Sequence, residues 1–206
     1  ALTAGVVLGC SPFGPQKDLT RFYVLTSLTD QVPEGLEVHR PGPLAIGIGP
    51  LDLAEYLDRP QIQTRVSENQ VWFSGVDRWA GPLRDNFART LMENVAMLLG
   101  TERMYGHPWY QDANIDYSVR VHVMRFEWNA AGYAELLAAW EIGGADLGTE
   151  VEWGLGRFTE PADTVGTDAY VAALSRTLQQ FSESIADEIR RLEAARPMPE
   201  EPAREQ

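Results

Sequence analysis

The chain has one cysteine in 206 residues. A single thiol closes no intramolecular disulfide and builds no multi-thiolate zinc site. Positive charge is scarce too. Seventeen Lys and Arg stand against thirty Asp and Glu, a formal charge of −13. That balance repels phosphate backbones, so nucleic acid is not an expected partner, and it speaks against a polybasic attachment to anionic lipid. Familiar catalytic signatures are missing. There is no Gly-x-Ser-x-Gly elbow, no Gly-x-x-x-x-Gly-Lys phosphate loop and no Gly-x-Gly-x-x-Gly fingerprint. Gly47-Ile48-Gly49-Pro50 imitates a nucleotide loop poorly, because Pro50 removes an amide donor and no helix of useful length follows. The histidines His39, His107 and His122 are not spaced i, i+4, and no metal site is expected from them. Acidic pairs such as Asp112 with Asp116, or Glu150 with Glu152, have no partner base and read as the solvated face of an acidic protein. No catalytic residue is expected.

What is present suffices for one folded domain. Hydrophobic residues make up 44% and aromatics 10%, enough to bury a core without disulfide or metal staples. Arg21 to Leu28 reads as a first strand, Thr29 to Pro43 as a loop, and Leu44 to Ile48 as a short buried strand. Leu53 to Leu57 suits a helical turn. Gln61 to Val66 and Gln70 to Phe73 suit two strands. A helix is predicted over 81–99, where Leu83, Phe87, Leu91, Val95 and Leu98 form one stripe and Gly100 stands at the C-terminal position. Ile115 to Trp128 alternates and then slips by one residue, which predicts a bulge near Met124-Arg125. Tyr133 to Ile142 and Val151 to Phe158 complete an antiparallel meander. A long helix follows from Thr167 to Glu193, with Val171, Leu174, Leu178, Phe181, Ile185, Ile189 and Leu192 three or four apart. The fold class expected is α/β (α+β): a mixed, largely antiparallel sheet packed by two main helices, in a single domain over 20–195. The Pro-containing segment 196–206 reads as a disordered tail.

The N-terminus carries the sharpest chemical signal. Ala1 to Gly9 contains no charge and is too short to span a bilayer, which takes ~20 apolar residues. It looks like the remainder of a secretion signal. Val7-Leu8-Gly9-Cys10 resembles a bacterial lipobox. In that motif small residues before the cysteine fit the signal peptidase, and the thiol carries a diacylglyceryl group. Val7, Leu8 and Gly9 are then the recognition residues, Cys10 the lipidation site, and residues 10–19 a tether. The covalent lipid on Cys10 is the only attached group expected. Ser11 is not Asp, which in the lipoprotein pattern points to the outer membrane.

Six tryptophans lie mostly on predicted strands or directly beside them, with core packing as their ordinary use. Trp72 and Trp79 are the candidates for surface contact, because they flank Ser74-Gly75-Val76-Asp77-Arg78, read as the loop entering the first helix. Trp72, Asp77, Arg78 and Trp79 are the candidate partner interface.

These pieces, in order, resemble the auxiliary lipoprotein family of ABC-type transport. The likeness is carried by Cys10 and its tether, by Phe22-Tyr23-Val24-Leu25, and by Ile46-Gly47-Ile48-Gly49-Pro50. It continues through Tyr56-Leu57-Asp58-Arg59-Pro60-Gln61-Ile62, Val71-Trp72-Phe73 and Arg78-Trp79-Ala80-Gly81-Pro82-Leu83. It ends at Ile185-Ala186-Asp187-Glu188-Ile189 in the last helix. The resemblance implies a non-enzymatic protein, lipid-anchored in the inner leaflet of the outer membrane on its periplasmic side. It further implies docking to an MCE-domain protein of an intermembrane lipid transport system, with a homo-oligomeric ring as a further expectation. The alternative is a periplasmic carrier that binds a lipid or other apolar ligand in its own core.

Overall fold

The computed structural model describes residues 17–31, 42–110, 113–144 and 151–196. Eight strands and two helices follow in the order β1 (Arg21–Tyr23), β2 (Ile46–Leu53), β3 (Gln61–Ser67), β4 (Gln70–Trp79), α1 (Leu83–Leu99), β5 (Met104–Gly106), β6 (Tyr117–Trp128), β7 (Tyr133–Gly144), β8 (Glu152–Pro161) and α2 (Thr167–Ala195). All strands join one mixed sheet. β6 is its spine. β7 lies antiparallel along one side of β6, and β8 lies antiparallel on β7 in an unbroken register from Tyr133↔Pro161 to Ile142↔Glu152. On the other side, β2 runs parallel to the first half of β6, and β3 meets it at Thr64↔Trp128. β4 and then β1 continue outward from β3, so β1 and β8 are opposite edges.

Alternation decides which face is buried. Val119, Val121 and Val123 point inward while Arg120 and His122 point out. The register slips between Val123 and Arg125, which returns Phe126 to the core. Both helices cover this inner face. The α1 stripe of Leu83, Phe87, Leu91 and Val95 is fully buried, as are Leu174, Leu178, Phe181, Ile185 and Ile189 of α2. Gly100 closes α1 in the left-handed conformation (φ 66°). Phe181 sits among Phe87, Trp140 and Phe158, with ring centroids 6.5, 5.4 and 5.7 Å away. Trp140 finds room because β8 opposes it with glycine: a Cβ on Gly154 would stand 2.3 Å from the indole.

Several expectations are corrected. The first strand pairs only over Arg21–Tyr23. From Val24 the chain leaves the sheet and crosses the helices, where side chains take the place of a neighbouring strand. The amides of Thr26 and Leu28 donate to Ser175 Oγ (3.1 Å) and Asn94 Oδ1 (2.8 Å). β2 continues past Pro50 to Leu53, because its register with β6 shifts between Ile48 and Leu51 and so absorbs the proline's missing donor. The helical turn expected over 53–57 shrinks to a 3₁₀ turn at Glu55–Leu57. β5 was not predicted. The residues assigned to the lipobox, Val7, Leu8, Gly9 and Cys10, lie outside the described residues.

Asn94 is fully buried and joins three elements. It accepts from Leu28 and donates to Ser182 Oγ at 3.2 Å. Asn94→Ala leaves the Leu28 amide without its acceptor and removes one of the two hydrogen bonds of Ser182, and is expected to cost about 1–3 kcal/mol in urea unfolding. In native-state hydrogen exchange, the Leu28 amide is expected to lose protection before the strands of the meander do.

Candidate functional site

The segment Ser74–Arg78, read from sequence as a loop, is part of β4. The pairs Gln61↔Arg78 and Gln63↔Phe73 leave extra residues on the β4 side, so the strand bulges there instead of ending. The Ser74 hydroxyl accepts the Asp77 amide at 2.9 Å, which holds the bulge closed. Asp77 is turned inward and is 5% exposed. Its carboxylate accepts from Arg21 Nε at 2.7 Å, Thr167 Oγ1 at 2.7 Å and Ser74 Oγ at 3.1 Å. One side chain thereby ties β1, β4 and the start of α2 together. Burial works to raise the Asp77 pKa, but the hydrogen bonds from Arg21, Thr167 and Ser74 outweigh it and hold the carboxyl below its usual range.

Trp79 is 2% exposed and stacks on Phe126 at 6.4 Å between centroids. Trp79 and Asp77 are therefore core and clamp, a correction to their expected place on a contact surface. Bulging is the physical reason: it keeps strand alternation going where a loop would have freed both side chains. Trp72 stays exposed and Arg78 half-buried. The bulge splits the four expected contact residues into two that reach solvent and two that do not.

The larger uncovered surface is the outer face of the sheet, which no described helix covers. Two ionic clusters occupy its middle. Arg65 binds the fully buried Glu127 and reaches the Tyr56 hydroxyl. Burial, and then the Glu127 charge, push that phenol up to about 12. Glu135 accepts from Arg125 (3.0 Å) and Asn129 (3.1 Å) and pairs with Arg157 at 3.1 Å. Burial favours a raised Glu135 pKa, but Asn129, Arg125 and Arg157 bring it below the ordinary value.

Toward β8 this face becomes aromatic. A groove of about 540 Å³ is lined by Asp52, His122, Ala139, Glu141, Val151 and Trp153, among others. Trp153 is 76% exposed and Leu155 61%. Sequence reasoning counted Trp153 among tryptophans destined for the core. The available signal was the glycines: Gly154 and Gly156 take the inward positions under Trp140, so the large residues between them must face out. Among the described residues, no three His, Cys, Asp or Glu side chains gather to hold a metal ion.

The model of the family described as "ABC-type transport auxiliary lipoprotein component" matches residues 23–186. Among curated proteins, none matches by sequence. The crystal structure of an uncharacterized protein superposes with a TM-score of 0.67 at 17% identity, covering 82% of this chain and 98% of that one. The crystal structure of protein XCC0632 from Xanthomonas campestris gives a TM-score of 0.63 at 17% identity, covering 85% and 98%. At such identity the likeness speaks to the fold.

Asp77 and Glu135 both sit below their ordinary pKa values. Their contribution to stability is whole above the unfolded carboxylate range, near pH 4, and is lost as pH falls through the lower folded values. Arg21 is well exposed, so the solvent screens its pairing, and the buried donors carry most of the cost. Asp77→Asn is expected to cost about 1–3 kcal/mol at pH 7 and to flatten the loss of stability between pH 5 and pH 2, read by chemical unfolding across that range.

Proposed function

The chain belongs to the ABC-type transport auxiliary lipoprotein family, and from that membership we propose that it is a non-enzymatic docking lipoprotein of an intermembrane transport system. Cys10 carries the lipid, and the anchor holds the domain on the periplasmic side of the outer membrane. The partner is an MCE-domain protein, and several copies of this chain gather around it.

The observation that carries the reading is the position of the aromatic groove. The tether enters the domain at β1, one edge of the sheet. Trp153 and Leu155 project from β8, the opposite edge, across five interstrand steps of ~4.8 Å, or about 24 Å. A lipoprotein that meets a partner from the other membrane needs its contact surface on the side away from its anchor. An exposed tryptophan on a strand that has only one partner among the described residues suits such a contact. The groove is open to solvent and outside the core, which supports docking over a carrier that holds lipid inside.

Three measurements test this. Cys10→Ala is expected to give a folded protein that leaves the membrane fraction of its native host; a wild type that is soluble and unacylated there would end the proposal. A photoreactive residue at Leu155 is expected to capture an MCE-domain protein in intact cells, while the same group at exposed Asp163 captures far less. Trp153→Ala is expected to weaken the isolated complex by about 2 kcal/mol, roughly 30-fold in Kd. Equal capture at both positions would reject the groove as the docking surface.

A further inference from the structure

The β1 edge carries a second cluster of exposed apolar side chains. Phe22 is 65% exposed, Leu19 62%, Val24 54% and Val76 38%. Phe22 pairs across the strands with Arg78, and Val76 stands on the bulge next to Asp77, whose partner is Arg21. All four apolar residues therefore flank the strand that receives the tether. Trp72, 54% exposed, extends the same edge along β4. Nothing in the core or in the aromatic groove uses these side chains.

Local charge runs against that of the whole. The chain bears −13, yet Lys17, its only lysine, and Arg21 and Arg78 lie on or beside β1, with Arg59 over Phe73 of β4, four cations against the carboxylates of Asp18 and Asp77. Arg21 is bound to Asp77. Lys17, Arg59 and Arg78 form no ion pair among the described residues. Arg59 instead lies over the Phe73 ring at 5.3 Å, on the strand that Arg78 shares. Exposed apolar side chains beside cationic ones suit the boundary between acyl chains and anionic headgroups.

The length of chain before β1 selects the occupant. Phe22 lies twelve positions after Cys10, so even a fully extended backbone keeps it within ~43 Å of the lipidated residue. An anchored domain thus keeps this edge within reach of the bilayer, and the tether supplies the proximity that a free protein would need affinity to achieve. A protein partner would have to compete with that standing proximity. We propose that the β1 edge is a membrane-contact surface, in which Phe22, Val24 and Leu19 enter the headgroup region of the anchoring bilayer while Lys17, Arg59 and Arg78 meet anionic lipid. The contact orients the domain, with β8 and its groove facing away from the membrane. It rests on the reading of Cys10 as the acylated residue.

The test uses the lipidated, full-length protein in vesicles of phosphatidylethanolamine and phosphatidylglycerol. Acylation occupies the Cys10 thiol, so a cysteine placed by Phe22→Cys is the one site open to an environment-sensitive thiol dye. Thr159→Cys, exposed on β8, is the control. The dye at position 22 is expected to emit several-fold more strongly than in water, with a blue shift, and to be quenched by lipids brominated near the headgroup. The dye at position 159 is expected to behave as in water. Substituting Lys17 and Arg78 together by Glu in the Phe22→Cys background is expected to return the dye at position 22 to water-like emission. Retention on vesicles with a water-like, unquenched dye at position 22 would overturn the contact and leave the anchor standing. Dye incorporated at Cys10 itself would overturn the anchor, and the contact with it.

Discussion

The Phe181 ring, halfway along a helix of 29 residues, packs against rings from α1, β7 and β8, and that contact decides which face of the sheet is left bare. Two amphipathic helices could in principle have covered the two faces of the sheet separately. Here both spend their apolar stripes on the same one, with Phe87 and Phe181 meeting between them. β8 yields to the arrangement by placing glycine where Trp140 must lie. The outward positions of β8 then hold Trp153 and Leu155, and the outer face carries charge in its middle and aromatic surface at its rims. Burial on one side and exposure on the other are one packing decision.

The opposite rim follows from the same constraint. With both helices on the inner face, the segment after β1 crosses them instead of extending the sheet. Its amides are met by Asn94 and Ser175, which explains buried polar residues inside otherwise apolar helix stripes. β1 is left three residues long, held by the Asp77 clamp, with Phe22 and Val24 projecting outward. An orphaned buried carboxylate would be costly, but Arg21, Ser74 and Thr167 satisfy this one and thereby fix where the tether enters.

Much of the fold was legible because it rests on periodicity. Both helices, the three-stranded meander and the bulge beside Met124-Arg125 follow from spacings of 3.6 and 2 and from one slip in alternation. The short strands were legible only in part: β1 was expected but over 21–28, and β5 was not expected, since both exist through their partners β4 and β2. Nor was the course of β4 through Ser74–Asp77, where Gly, Ser and Asp composition signals a turn and the hydroxyl of Ser74 instead stabilises a bulge. That misreading moved Trp79 and Asp77 to the surface. Trp153 was passed over for the complementary reason: a large apolar residue is expected inside unless its strand neighbours are seen to be glycines facing a tryptophan. Family membership is legible in the ordered motifs, and the described residues supply the geometry from which the proposed docking and membrane contact follow.

The central claim is that the two edges of the sheet face opposite ways from the membrane. Energy transfer from a donor dye at position 22 or position 155 to acceptors in the headgroups of the anchoring bilayer measures this directly on the lipidated protein. The account predicts that position 155 lies farther from the bilayer by about 24 Å, the width of five strand spacings. Equal distances, or a β8 edge nearer the lipid than β1, would contradict it.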